Sequence, residues 1–103
     1  MADIIIFGCI NKDGSIHSGS GFTVDYLGGG HYLINYDTRF SKTPAVVLTQ
    51  NYRNWEDFGY VGGNTKDNAV LVASDTLKFK VKTGDSNGDG TDRNFAFISI
   101  GGA

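Results

Sequence analysis

Residues 19–49 read GSGFTVDYLGGGHYLINYDTRFSKTPAVVLT, three short runs in which apolar and polar residues alternate, cut apart by glycine-rich or polar breaks. A period of two places successive side chains on opposite faces of a strand. Turn residues recurring at roughly eight-to-twelve-residue spacing are the pattern of an antiparallel sandwich or barrel. The only proline, Pro44, stands just before the third run, where its missing N–H leaves no gap in a ladder.

The same pattern extends along all 103 residues. Strands are expected at Asp3–Ile10, Ser15–His17, Phe22–Tyr26, His31–Tyr36, Ala45–Gln50, Asn68–Ser74, Leu77–Thr83 and Asn94–Gly101. The joints carry Asp-Gly, Gly-Gly, Asn and Ser, which reach positive φ or bond their own backbone. No window sustains a 3.6-residue period, so little helix is expected beyond a single turn at Tyr52–Phe58. The fold class is therefore all-β: an antiparallel, jelly-roll-like β-sandwich of about six to eight strands. Its length is that of one domain, spanning residues 1–103.

Face assignments follow from the alternation. Tyr32, Ile34 and Tyr36 share one face, as do Leu77, Phe79 and Val81. Lys78, Lys80 and Lys82 form a solvated face, which also protects against edge-to-edge pairing. Ile4–Phe7, Val70–Ala73 and Phe95–Ile98 do not alternate and are apolar on both faces. A sandwich strand normally keeps one wet face, so these runs call for a second cover. The expectation is a homo-oligomer, a trimer or hexamer, packed through the first, sixth and last strands.

A net charge of -2 without a Lys/Arg cluster gives no basis for binding nucleic acid or an anionic membrane. Cys9 is the only cysteine; it forms no intramolecular disulfide or thiolate metal cage and reads as an inert thiol buried in its strand. MADIIIFG has no basic, long apolar leader, and no apolar run is long enough to span a bilayer. A soluble protein made in the cytoplasm, and released if at all by a leaderless route, is expected.

Two segments carry candidate chemistry. Asp85–Asn94, DSNGDGTDRN, matches D-x-N-x-D-G, the first half of a calcium loop. Asp85, Asn87 and Asp89 offer hard oxygen ligands, Thr91 a backbone carbonyl and Asp92 a substitute carboxylate. Arg93 and Ala96 occupy the ninth and twelfth positions, where ligands belong, so a polar hairpin loop is the competing reading. Asn51–Tyr60, NYRNWEDFGY, mixes aromatic rings with planar hydrogen-bonding groups. A sugar presents C–H patches beside hydroxyls and suits such a mixture. Here Trp55 is expected to stack on the sugar, beside Tyr52, while Arg53, Asn54, Glu56 and Asp57 bond its hydroxyls. The competing reading has Trp55 and Phe58 plugging the end of the sandwich. His17 and His31 lack metal spacing and accompany no nucleophile elbow. Glu56 and Asp57 are adjacent but have no second carboxylate pair positioned with them. No enzymatic activity is expected.

From His31 onward the chain resembles the H-type lectin domain family. Tyr32–Tyr36 followed by Phe40–Val47 is similar to that family's strand, polar turn and proline-led strand. Leu77–Val81 resembles its glycine-phenylalanine strand, and Phe97–Gly101 its closing strand, with Phe97 in place of tryptophan. The segment GSI…GSGFTV…GGGHY also resembles trimeric tail-fibre-tip and C1q-like jelly-roll modules of bacteria and phages. The resemblance implies an oligomeric sandwich with sugar sites at or near subunit interfaces. The family's sugar-contacting loop and strand arginine have no counterpart in 84–93 and 68–74, so its site residues do not transfer. The expected function is a non-enzymatic, oligomeric glycan-binding module, with calcium as its only candidate cofactor. The alternative is a structural trimerising tip that binds no small ligand.

Overall fold

A computed structural model describes residues 2–103 as eight strands. They are β1 (Asp3–Ile10), β2 (Ile16–Gly19), β3 (Phe22–Gly28), β4 (His31–Tyr36), β5 (Ala45–Asn51), β6 (Asn68–Ser74), β7 (Lys78–Gly84) and β8 (Asn94–Gly102). All eight expected strands are present, with ends within two residues of the sequence reading. No described residue is helical, and Tyr52–Phe58 forms turns instead.

The strands build two antiparallel four-stranded sheets, in the orders β2-β1-β8-β5 and β3-β4-β7-β6. The β3–β4 hairpin turns through Gly28, Gly29 and Gly30, all at positive φ, a conformation that costs other residues steric strain. A Cβ on Gly30 would also lie 2.3 Å from the Thr83 carbonyl oxygen, so this turn requires glycine twice over.

The inner faces meet in a core of rings and branched side chains. Phe97 of β8 packs edge-on against Phe22 and Phe79, each with centroids 5.0 Å apart. Tyr36 continues the column to Phe79 and Phe40. Ile6, Ile10, Ile34, Val81 and Phe95 fill the remaining space. The buried Tyr36 hydroxyl shares a 2.7 Å hydrogen bond with Ser99 Oγ on the opposite sheet. Burial pushes the Tyr36 pKa up, and more strongly that of Tyr32. Both phenols stay neutral in the core.

Three expectations change. β7 lies between β4 and β6, so its lysines guard no edge. They form the solvated outer face of an inner strand, opposite Asn35, Leu33 and His31. Cys9 is half-buried on the outer face rather than in the core, because Gly8 and Ile10 take the inward positions beside it. β6 belongs to the opposite sheet from β1 and β8. The first, sixth and last strands therefore share no face; β5 takes the third place beside β1 and β8.

Phe97→Ala removes the ring shared by both sheets and is expected to lower unfolding free energy by about 3–5 kcal/mol. Urea unfolding followed by circular dichroism measures it; a loss below about 1 kcal/mol contradicts the role given to this column.

Candidate functional site

The β5–β8 pairing ends at Asn51 opposite Asn94. The next residues, Tyr52 and Arg93, therefore leave the sheet side by side. The Arg93 guanidinium lies 4.5 Å from the centre of the Tyr52 ring. Tyr60 approaches the same ring at 5.7 Å, and Arg53 stacks on Tyr60 at 4.4 Å. Arg93 donates to Gln50 Oε1 at 3.2 Å and pairs with Asp67 at 3.2 Å. Both side chains of that pair are largely buried, which makes it less screened than a surface pair. The Tyr60 hydroxyl beside Tyr52 pushes the Tyr52 pKa up.

Of these groups, Gln50, Tyr52, Asp67 and Arg93 border two adjoining hollows. One of about 350 Å³ is lined by Gln50, Tyr52, Gly62, Gly63, Asn64 and Asp67, among others. The other, of about 250 Å³, adds Arg93, Asp85 and Ser86 to Tyr52, Gly63, Asn64 and Asp67. An aromatic ring, a carboxylate, a guanidinium and an amide thus converge on one open, polar depression.

The loop is anchored by a buried amide. Asn94, only 4% exposed, donates from Nδ2 to the Arg53 carbonyl at 2.8 Å and to Asn51 Oδ1 at 3.3 Å. Its Oδ1 accepts the Lys12 N–H at 2.8 Å, tying in the β1–β2 hairpin. The Tyr32 hydroxyl donates to the Lys12 carbonyl at 2.7 Å.

The structure divides the sugar-binding set expected from sequence. Tyr52 and Arg53 join the cluster with Tyr60, Arg93 and Asp67. Trp55 turns instead to the β1–β2 hairpin. His17 stacks on the indole at 5.0 Å with 13° between the planes, and Nε1 donates to Asn11 Oδ1 at 2.8 Å. One face of the indole and its only polar group are thus engaged within the protein. Asn54, Glu56 and Asp57 are exposed on consecutive turns, closed by the Asp57 N–H to the Asn54 carbonyl and the Phe58 N–H to the Glu56 carbonyl. Phe58 is 95% exposed, so it plugs nothing.

Of the five residues of the expected calcium loop, Asp85, Asn87, Asp89 and Thr91 stay within one turn, bonded to each other, and Asp92 points away from it. The Asp85 carboxylate accepts the N–H groups of Asp89 and Asn87 at 3.0 and 2.9 Å, which holds its pKa below the usual carboxylate range. Asn87 and Asp89 are exposed. The Thr91 carbonyl accepts the Thr83 hydroxyl at 2.6 Å. Asp92 faces away, towards the glycine turn; it accepts the Gly30 N–H at 2.7 Å and the Tyr26 hydroxyl. Among the described residues no three His, Cys, Asp or Glu side chains gather as a metal would require. The loop is a hairpin whose carboxylates bond its own backbone and its neighbours, in the manner of Asx turns. His31 likewise bonds the Gly28 carbonyl at 3.2 Å.

Sequence reasoning missed Asp67, Arg93, Gln50 and Asn64 as site residues. Arg93 reaches Tyr52 only through the β5–β8 pairing, and that pairing of non-consecutive strands has no local signal; Gln50 stands two residues before Tyr52 but reads as an ordinary strand residue. Asn64 and Asp67 close the far end of the long loop, in a turn where the Asp67 N–H bonds the Asn64 carbonyl. Searches against family models, curated proteins and solved structures found no match to this chain. No described helix is long and apolar enough to cross a membrane.

Two predictions follow from these contacts. The Asp85 carboxylate, and that of Asp75, which caps the β6–β7 turn through the Leu77 and Lys78 N–H groups, are charged in the fold at a pH where the unfolded chain protonates them. Their stabilisation is fully present above the unfolded value of about 3.9 and is lost as pH falls through the lower folded values. Thermal melts from about pH 5 to about pH 2 should fall less steeply for Asp85→Asn than for the parent chain. Asn94→Ala removes the clamp on Lys12 and Arg53 and is expected to destabilise by about 1–3 kcal/mol. The same change should red-shift Trp55 emission in the still-folded protein, as loop and hairpin part.

Proposed function

We propose that this chain is a non-enzymatic glycan-binding module whose sugar site is the hollow between Tyr52 and Asp67. The observation that carries the reading is the convergence of Tyr52, Asp67, Arg93 and Asn64 on one depression. The Tyr52 ring offers an apolar surface to the C–H patch of a pyranose. A carboxylate paired with a guanidinium offers acceptor and donor to neighbouring hydroxyls. The Asp67–Arg93 pair and the Asn94 clamp hold these groups in place before a ligand arrives, which reduces the entropy lost on binding. The likeness of residues 31–101 to the H-type lectin pattern supports the same reading. So shallow a site binds weakly alone, and several copies held together would supply avidity.

A second reading, a structural tip or assembly module without a small ligand, is favoured by a different observation: the apolar outer face of the sheet containing β1 and β8.

A glycan array probed with the labelled protein, with and without calcium, separates the two. The glycan reading predicts binding that falls at least tenfold in Asp67→Ala and in Tyr52→Ala, about 1.4 kcal/mol or more, and that is largely kept in Glu56→Ala. Absence of binding by folded, assembled protein supports the assembly module and contradicts the sugar site.

A further inference from the structure

The two outer faces of the sandwich differ in kind. On the β3-β4-β7-β6 sheet, the outward rows pair Thr23 with Asn35 and Lys78, Asp25 with Leu33 and Lys80, and His31 with Lys82. Asn35 donates to the Asp25 carboxylate at 3.0 Å. Across β3, β4 and β7 this face is mainly polar and charged, as a water-facing sheet should be, while the β6 edge adds exposed Val70, beside Lys82, and Val72.

On the other sheet, the register aligns three outward rows across β5, β8 and β1: Ala45–Ile100–Ile5, Val47–Ile98–Phe7 and Thr49–Ala96–Cys9. No charged residue lies within them. Ile5 is 61% exposed, Phe7 59%, Val47 64%, Ile98 45% and Ile100 43%. The open parts of these five side chains amount to roughly 500 Å², at the upper end of the apolar patch a soluble monomer leaves open. Adding the small residues around them brings the face towards the roughly 800 Å² per partner of a standard protein interface.

We infer that this face is a self-association surface, covered by a second copy of the same chain. Three features select a copy over an unrelated partner. The three rows are free of charge, and the carboxylate on the same β1 face, Asp3, lies beyond their end, so two such faces meet with no ion desolvated at their centre. The face carries both an exposed ring and a hollow: Phe7 is open to solvent, while an apolar dimple of about 90 Å³ lies between β5 and β8, lined by Val47, Leu48, Thr49, Ala96, Phe97 and Ile98. Surfaces that hold both complements can pair with themselves. Its sheet also presents aligned strands, the geometry in which sheets stack about 10 Å apart. The inference does not rest on the glycan reading, whose residues lie on the loops rather than in these rows.

Size-exclusion chromatography with light scattering, run at micromolar concentration, tests it. The parent chain should run at an integer multiple of 11.1 kDa. Val47→Glu and, separately, Thr49→Arg should reduce it to the single-chain mass with unchanged circular dichroism; both positions are already exposed in the single chain. Leu33→Glu, on the opposite face, should leave the assembled mass unchanged. A parent chain at the single-chain mass overturns the inference. So does an assembly that persists in both Val47→Glu and Thr49→Arg, or one lost only in Leu33→Glu.

Discussion

Everything in this structure depends on the contact between two inner faces through a column of aromatic rings. Phe22, Phe97, Phe79, Tyr36 and Phe40 follow one another at 4.9 to 5.9 Å. The Tyr36–Ser99 hydrogen bond crosses the same interior. Edge-on and tilted packing brings ring edges to ring faces, beyond the gain from burying area alone. Because side chains alternate with a period of two, committing Phe95, Phe97 and Ser99 inward leaves Ala96, Ile98 and Ile100 no choice but to face out. The character of the outer surface is thus set by what the interior requires, one residue away.

The same constraint places the loops. Once β5 and β8 pair through Asn51 and Asn94, Tyr52 and Arg93 must emerge together, and the long connection to β6 closes over them. Asn94 secures this end of the sandwich with three hydrogen bonds, to Lys12, Asn51 and Arg53. Trp55 bolts the loop to the β1–β2 hairpin through His17 and Asn11. A residue with a large ring and a single donor was suited to either role, binding or bracing. Here its donor is engaged within the protein, and the accessible chemistry passes to Tyr52 and Asn64, at the rim of the buried Asp67–Arg93 pair.

Strand positions were legible because alternation and turn residues are local signals. The Tyr32, Ile34, Tyr36 face and the Phe79, Val81 face are buried as their spacing requires, whereas Leu77, expected beside Phe79 and Val81, precedes β7 and is exposed. What local signals do not contain is which strands lie next to each other. That is why Lys78, Lys80 and Lys82 read as edge protection though β7 is an inner strand, and why β6 was grouped with β1 and β8. The site was half legible for the same reason. Tyr52 and Arg53 stand in a visibly aromatic, polar segment, whereas Arg93 and Asp67 are distant in sequence and meet it only through the fold. The Asp85–Asp92 segment is a further case: a run of carboxylates spaced for a cation is also spaced to bond the N–H groups of a tight turn and of the Gly28–Gly30 hairpin.

Under the proposed self-association the two outer faces have different fates, one wet and one covered. Methyl relaxation by a soluble paramagnetic probe reads that difference in the intact protein, with Val61, 99% exposed, and Ile34, fully buried, as internal references. The methyls of Ile5, Val47, Ile98 and Ile100 should be shielded nearly as well as those of Ile34, while Leu33 relaxes measurably faster. Relaxation of the Ile5, Val47 and Ile98 methyls as fast as that of Val61 would contradict the account.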